Sequence, residues 1–197
     1  MNKKEFKLFQ ELIYDRLGIS LSDQKVSLLQ SRLGKLVTKK GLGGYMELYE
    51  YFIHHGGSSV DNELEDAITT NVTSFFREKD QWVYFKEYLK NFTTKNSSKK
   101  LRIWSSASSS GEEPYSIAIF LHENIPNIST WDIKILATDI SEDILKKAIA
   151  GIYPEKVMEG LPRNMIQKYF TMKINAKSKE FTANDSIKNM ITFRKFN

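Results

Sequence analysis

The chain has 197 residues, enough for one or two domains with a real core, and its 41% hydrophobic and 27% charged residues are those of an ordinary globular protein. No window approaches the run of about 18 apolar residues that spans a membrane, and Met1-Asn2-Lys3-Lys4 leads into a mixed amphipathic segment rather than the apolar core of a signal peptide. Zero cysteines exclude disulfides, thiolate catalysis and zinc–thiolate sites, the three histidines show no metal-ligand spacing, and the net charge of +5 favours acidic partners without specifying nucleic acid.

Residues 1–67 read as an all-helical domain. Phe6, Phe9, Leu12 and Ile13 recur at three- and four-residue spacing and give the first helix one apolar face. Gly18 closes it, and Ser20 or Ser22 suits the cap of the next. The second helix carries Val26, Leu29, Leu33, Leu36 and Val37 on one side and Lys25, Arg32, Lys35, Lys39 and Lys40 on the other, with no acid between Gln24 and Met46. A third helix runs through Tyr45, Leu48, Tyr49 and Phe52, and the adjacent His54 and His55 read as its end. Residues 61–76 look like a connecting helix, 78–91 like another that packs through Trp82, Phe85 and Leu89, and 91–100 like a polar surface loop.

A strand–helix alternation follows. Residues 101–105 predict a strand, 114–122 a helix with Pro114 in its first turn, 133–138 a second strand, and Ser141 caps a helix after it. Residues 190–196 predict a third strand, after a longer helical and irregular stretch. This pattern implies a parallel sheet with crossover helices, hence an α/β doubly wound domain over 68–197.

The loop between the first strand and its helix, Ser105-Ser106-Ala107-Ser108-Ser109-Ser110-Gly111, is built of small residues that let a ligand approach the backbone. It ends in Glu112 and Glu113, which disfavour a polyphosphate and favour a positive group. Three glycines of a dinucleotide fingerprint are lacking, so a phosphate-free nucleoside with a cationic end, such as S-adenosylmethionine, fits better. Asp139, at the end of the second strand, is placed to accept from ribose hydroxyls or to cap the next helix. Arg77 is a candidate for the ligand carboxylate. Each has a plain structural alternative: Glu112 and Glu113 as acids complementing the helix dipole, and Arg77 as a solvated charge beside Glu78.

Four segments carry a family resemblance. Asn71-Val72-Thr73-Ser74-Phe75-Phe76-Arg77-Glu78 resembles the N-x-T-x-F-F-R-E signature of CheR-type chemotaxis receptor methyltransferases. Trp104 through Ser116 is similar to their W-S-A-A-x-S-T-G-E-E-P-Y-S, with Ser106 and Ser110 in place of Ala and Thr. Ala137-Thr138-Asp139-Ile140-Ser141, continuing through Ala148 to Gly151-Ile152-Tyr153, is similar to their A-[ST]-D-I-x…A…G-x-Y. The helical front, with Ile19-Ser20-Leu21-Ser22 and Lys25, resembles their N-terminal domain.

The resemblance implies a helical receptor-docking domain and a Rossmann-like domain that transfers methyl from S-adenosylmethionine to chemoreceptor glutamates, leaving S-adenosylhomocysteine. It implies that Asn71, Thr73, Arg77, Glu113, Asp139 and Asn197 bind the cofactor, that Arg77 influences the reacting centre, and that Arg32, Lys35 and Lys39 meet the receptor's cytoplasmic helical bundle. A cytoplasmic enzyme without metal, nucleic-acid partner or membrane insertion is expected. The family continues past the position of Asn197 with further strands, an inserted small β subdomain and more cofactor-lining residues. Only the first half of the cofactor domain is therefore expected here, with impaired cofactor affinity and weak or no methyl transfer. The alternative is a non-catalytic module that docks on an acidic helical partner.

Overall fold

A computed structural model describes residues 1–55, 57–69, 72–175 and 178–196, with Ser58 and Asn175 described by backbone alone. It divides into two compact units, Met1–Thr70 and Asn71–Phe196. Among the described residues no helix is long and apolar enough to cross a membrane.

The first unit is helical: α1 (Lys3–Leu17), α2 (Val26–Lys40) preceded by a 3-10 turn at Asp23–Lys25, α3 (Tyr45–His54) and α4 (Ser58–Ile68). Asn2 starts α1 with a reciprocal cap: its side chain accepts from Lys4 N and Glu5 N at 2.9 Å, and Glu5 accepts from Asn2 N at 2.6 Å. Phe6, Phe9, Ile13, Leu33, Leu48, Phe52 and Leu64 fill the core. Arg16 ties three helices, donating to Asp61 Oδ1 at 2.7 Å and to the Phe52 carbonyl at 2.6 Å. His54 is the last residue of α3 and His55 its C-cap, with the His55 ring stacked on Tyr51 at 4.7 Å, so the pair stands at the helix end.

The connecting helix expected over 61–76 is shorter. It begins at Ser58 and stops at Ile68, and residues 72–78 form an irregular segment with Phe76 and Glu78 in the left-handed region (φ 51° and 56°). Thr69, Val72, Thr73 and Ser74 are β-branched or hydroxyl residues that hold a helix poorly.

In the second unit α5 (Lys79–Lys95) overruns its expected end and absorbs the front of the expected loop, because Phe92 extends its apolar stripe toward Trp131 (6.4 Å between rings). Then come β1 (Lys100–Ser105), α6 (Glu112–Asn124), β2 (Asp132–Asp139) and α7 (Glu142–Ala150). The remainder is β3 (Ile152–Pro154), α8 (Glu155–Met158), α9 (Arg163–Tyr169), β4 (Phe170–Asn175), β5 (Ser178–Ala183), α10 (Asp185–Lys188) and β6 (Ile191–Lys195).

β1, β2 and β6 form a parallel sheet with β2 in the middle. Leu101, Ile135 and Ala137 turn to the buried side, where α6 is enclosed along Pro114–Leu121. The paired Trp104 and Leu136 lie on the other side and are 56% and 40% exposed, so the described residues cover one face of the sheet.

β3, β5 and β4 form a second, antiparallel sheet inserted between α7 and β6. The stretch before β6 was expected to be helical and irregular, and a small β subdomain was expected only beyond Asn197. Both expectations are corrected here: a small antiparallel sheet lies inside the chain. Its strands are short: β3 has three residues, β5 starts on polar Ser178, Lys179 and Glu180 before buried Phe181 and Ala183, and only β4 alternates apolar Phe170, Met172 and Ile174 with polar residues.

Candidate cofactor site

The carboxyl ends of β1 and β2 lie side by side, with Ser105 in register with Ala137. In a sheet of this kind that is where a ligand crevice forms. The loop from β1 turns through Ser109 (φ 47°) and Gly111 (φ 97°) before α6 begins. Two left-handed residues make this turn tight, and it is held from several directions. Ser108 N donates to the Thr138 carbonyl at 2.8 Å, Gly111 N to the Ser108 carbonyl at 2.9 Å, and Ser109 N to Asp139 Oδ2 at 2.7 Å.

Asp139 is buried, and its other oxygen accepts from Ser141 N at 3.0 Å. It thus clamps the β1 loop to the end of β2. The helix cap proper is Ser141, whose hydroxyl accepts from Ile144 N at 3.3 Å. Each carboxylate oxygen keeps a lone pair for a further donor.

The two acids after Gly111 part company. Glu112 is buried, receives the Ser110 hydroxyl at 2.6 Å, and belongs to the protein interior. Glu113 is exposed, is steadied by the Ser105 hydroxyl at 2.6 Å, and lines a pocket of about 610 Å³ between α5 and α6 with Asp80, Gln81, Trp82, Tyr84, Phe85 and Ile117, a pocket that Asp139, Arg77 and Thr73 do not line. An acid over aromatic and aliphatic walls suits a cation borne on an apolar ligand.

The segment 72–78 is fastened to α6. Phe76 N donates to Ser116 Oγ at 2.9 Å, and that hydroxyl donates to the Glu112 carbonyl at 2.6 Å. Trp82 Nε1 donates to the Arg77 carbonyl at 2.7 Å. The Arg77 side chain is exposed, donates to the Val72 carbonyl at 3.1 Å and pairs with Glu78 at 3.2 Å. Thr73 is half-buried on the same segment. Asn71 and Asn197 lie outside the described residues.

Tyr153, from β3, completes the loop's support. Its hydroxyl donates to the Ser110 carbonyl at 2.9 Å. Burial, and secondarily the Glu112 carboxylate, push this hydroxyl far above its usual range, so it stays protonated and a donor. Sequence reasoning placed Tyr153 in a motif but gave it no task, and it missed Ser105 and Ser116 as partners. The signal for Ser116 was its place one turn along α6 from Glu112.

Of the expected docking cations, Lys35 and Lys39 are exposed, whereas Arg32 is half-buried and donates to the Ile68 carbonyl. Arg32 therefore serves the C-terminus of α4, where unsatisfied carbonyls and the helix dipole favour a cation. Among the described residues no three His, Asp or Glu side chains form a metal-binding group.

These features match known proteins across both units. The CheR methyltransferase all-alpha domain matches residues 4–69, and the CheR methyltransferase SAM-binding domain matches residues 71–197. A probable chemotaxis protein methyltransferase of Rhizobium etli is 36% identical over 94% of this chain and 70% of its own length. A chemotaxis protein methyltransferase of Borreliella burgdorferi is 36% identical over 100% of this chain and 70% of its own. Chemotaxis protein methyltransferase 2 of Pseudomonas aeruginosa is 32% identical over 99% of this chain and 68% of its own. The chain therefore belongs to the CheR family of chemotaxis methyltransferases, enzymes whose methyl donor is S-adenosylmethionine.

Proposed function

We propose that the protein methylates glutamate side chains of chemoreceptors in the cytoplasm, and that S-adenosylmethionine lies across the carboxyl ends of β1 and β2. One observation carries this reading: two acids flank a small-residue turn at the carboxyl ends of β1 and β2, Asp139 bonded to Ser109 N at 2.7 Å on one side and Glu113 held by the Ser105 hydroxyl at 2.6 Å on the other. Asp139 accepts from the ribose. Glu113 holds the amino group, and Arg77 meets the carboxylate. Asn71, Thr73 and Asn197 complete the cofactor set on the strength of the motifs that contain them.

When bound, the cofactor supplies a methyl carbon made electrophilic by its sulfonium. A glutamate is already ionised at neutral pH, so the chain needs no strong general base. With the cofactor held by Asp139, Glu113 and Arg77, the glutamate carboxylate would accept the methyl group it supplies, the carbon–sulfur bonding pair leaving on sulfur. Charge is lost in the transition state. The residues of the crevice therefore contribute by aligning the reactants and excluding water rather than by stabilising charge. Arg77 is the motif cation best placed to influence the reacting centre. Lys35 and Lys39 supply positive charge to the acidic helices of the receptor.

The test is calorimetric titration with S-adenosylhomocysteine. The wild-type chain is expected to bind, and Asp139→Ala to bind about tenfold or more weakly, as expected for a lost hydrogen bond to a charged group. Equal affinity in the two proteins overturns the assignment of the crevice.

A further inference from the structure

The small antiparallel sheet is joined to the β1 loop through one side chain. Tyr153 is 3% exposed, and its ring is held on several sides: Phe75 at 5.0 Å and Tyr115 at 6.0 Å, both edge-on, and Phe170 of β4 at 6.4 Å. Phe75 belongs to the segment that carries Arg77 and also meets Phe170 at 5.6 Å. A ring packed in this way cannot re-aim its hydroxyl, which is fixed on the Ser110 carbonyl at 2.9 Å. The fit is close. A Cβ at Gly111 would lie 2.9 Å from the Tyr153 hydroxyl and 3.1 Å from Ala148 Cβ.

The turn that Tyr153 touches is one a free chain would avoid, because Ser109 is a non-glycine residue at φ 47°. Such a turn persists only where its surroundings over-determine it. Asp139 holds it on the β2 side and Tyr153 holds it on the side of the small sheet.

We propose that Tyr153 is a positioning residue for the cofactor: delivered by β3, it fixes the Ser109–Gly111 turn and indexes that turn and the Phe75–Arg77 segment to one aromatic ring. This rests on the crevice assignment above. It adds that the antiparallel sheet, whatever else it does, is part of the cofactor site's framework.

Tyr153→Phe tests this, because it keeps the ring and removes only the hydroxyl. Two measurements are made on the full 197-residue chain. In the free protein, amide hydrogen exchange at Ser109 and Gly111 is expected to quicken about tenfold while Ile135 in β2 keeps its rate, since one restraint on the turn is gone and the sheet is untouched. S-adenosylhomocysteine affinity is expected to fall about 3- to 10-fold, the equivalent of one net hydrogen bond, with a cooperative unfolding transition retained at a midpoint lowered only by the loss of that one bond.

Unchanged exchange at the turn overturns the proposal. So does exchange that quickens equally throughout the sheet, or wild-type affinity in Tyr153→Phe. Asp139→Ala, titrated alongside, separates the two readings. If it binds like wild type, or if wild type does not bind, the crevice assignment fails, and the exchange measurement still decides the role of Tyr153.

Discussion

Gly111 shows how much a single position carries. It stands at φ 97°, and an added methyl would press on the Tyr153 hydroxyl and on Ala148 at once, with Cβ and Cα 3.1 and 3.2 Å away. Gly111→Ala is expected to cost about 2 kcal/mol in urea unfolding, from backbone strain and displaced contacts together. At this scale the sequence was informative where a residue's chemistry is its role. The run of small residues, Asp139 and Glu113 could all be picked out from residue type and placement. It was uninformative about partners. Nothing in the order of residues says that Glu112 turns inward and Glu113 outward, that Ser105 donates to Glu113, or that Ser116 links Phe76 N to the Glu112 carbonyl. Those follow from the rotation of α6 against the sheet, a tertiary fact.

At the scale of elements, α2 is a helix with divided duties. Arg32 is committed to the end of α4, Lys40 pairs with Glu63 at 2.8 Å and sits over the Tyr51 ring at 3.9 Å, and Lys35 and Lys39 face outward. Glu63 and Tyr51 hold the Lys40 ammonium above its ordinary range. Substitutions should therefore sort the basic stripe into two groups. Arg32→Ala is expected to lower the stability of the chain by about 1 kcal/mol in denaturant, through the lost bond to a helix-end carbonyl. Lys35→Ala with Lys39→Ala is expected to leave the unfolding midpoint within about 0.5 kcal/mol of wild type while weakening association with a receptor fragment in a salt-dependent way. The stripe was legible from spacing alone. Its division was not, because the partner of Arg32 comes from a helix whose end was misjudged by several residues. The long parallel-sheet elements were legible for the opposite reason: they bury apolar side chains in a regular pattern. In the antiparallel sheet, β4 does alternate Phe170, Met172 and Ile174 with polar residues, a legible cue that sequence reasoning missed, whereas the three-residue β3 and the polar start of β5 give little local pattern and gain their order from pairing.

For the molecule as a whole, the two units each carry their own core. Residues 1–69 bury a set of aromatic and leucine side chains against one another, with Arg16 and the Asn2 cap as internal ties. Expressed alone, that segment is expected to give a helical circular-dichroism spectrum and a cooperative, if low, thermal transition. A non-cooperative melt would show that the unit depends on the rest of the chain. Fold class and the order of the two units were readable beforehand, because helical periodicity gives way to strand–helix alternation near the motif that contains Arg77.

The exposed pairing of Arg77 with Glu78 has a consequence for how a ligand enters. Both side chains are more than half open to solvent, 58% and 60%, so their attraction is worth about 1 kcal/mol or less. The backbone beneath is pinned by buried Phe75, by Phe76 N and by the Trp82 indole, but the guanidinium is only parked. Trading one carboxylate for another is nearly isoenergetic. On the proposed assignment, Arg77 would leave Glu78 and the Val72 carbonyl for an arriving amino acid by side-chain rotation alone, with the frame behind it standing still.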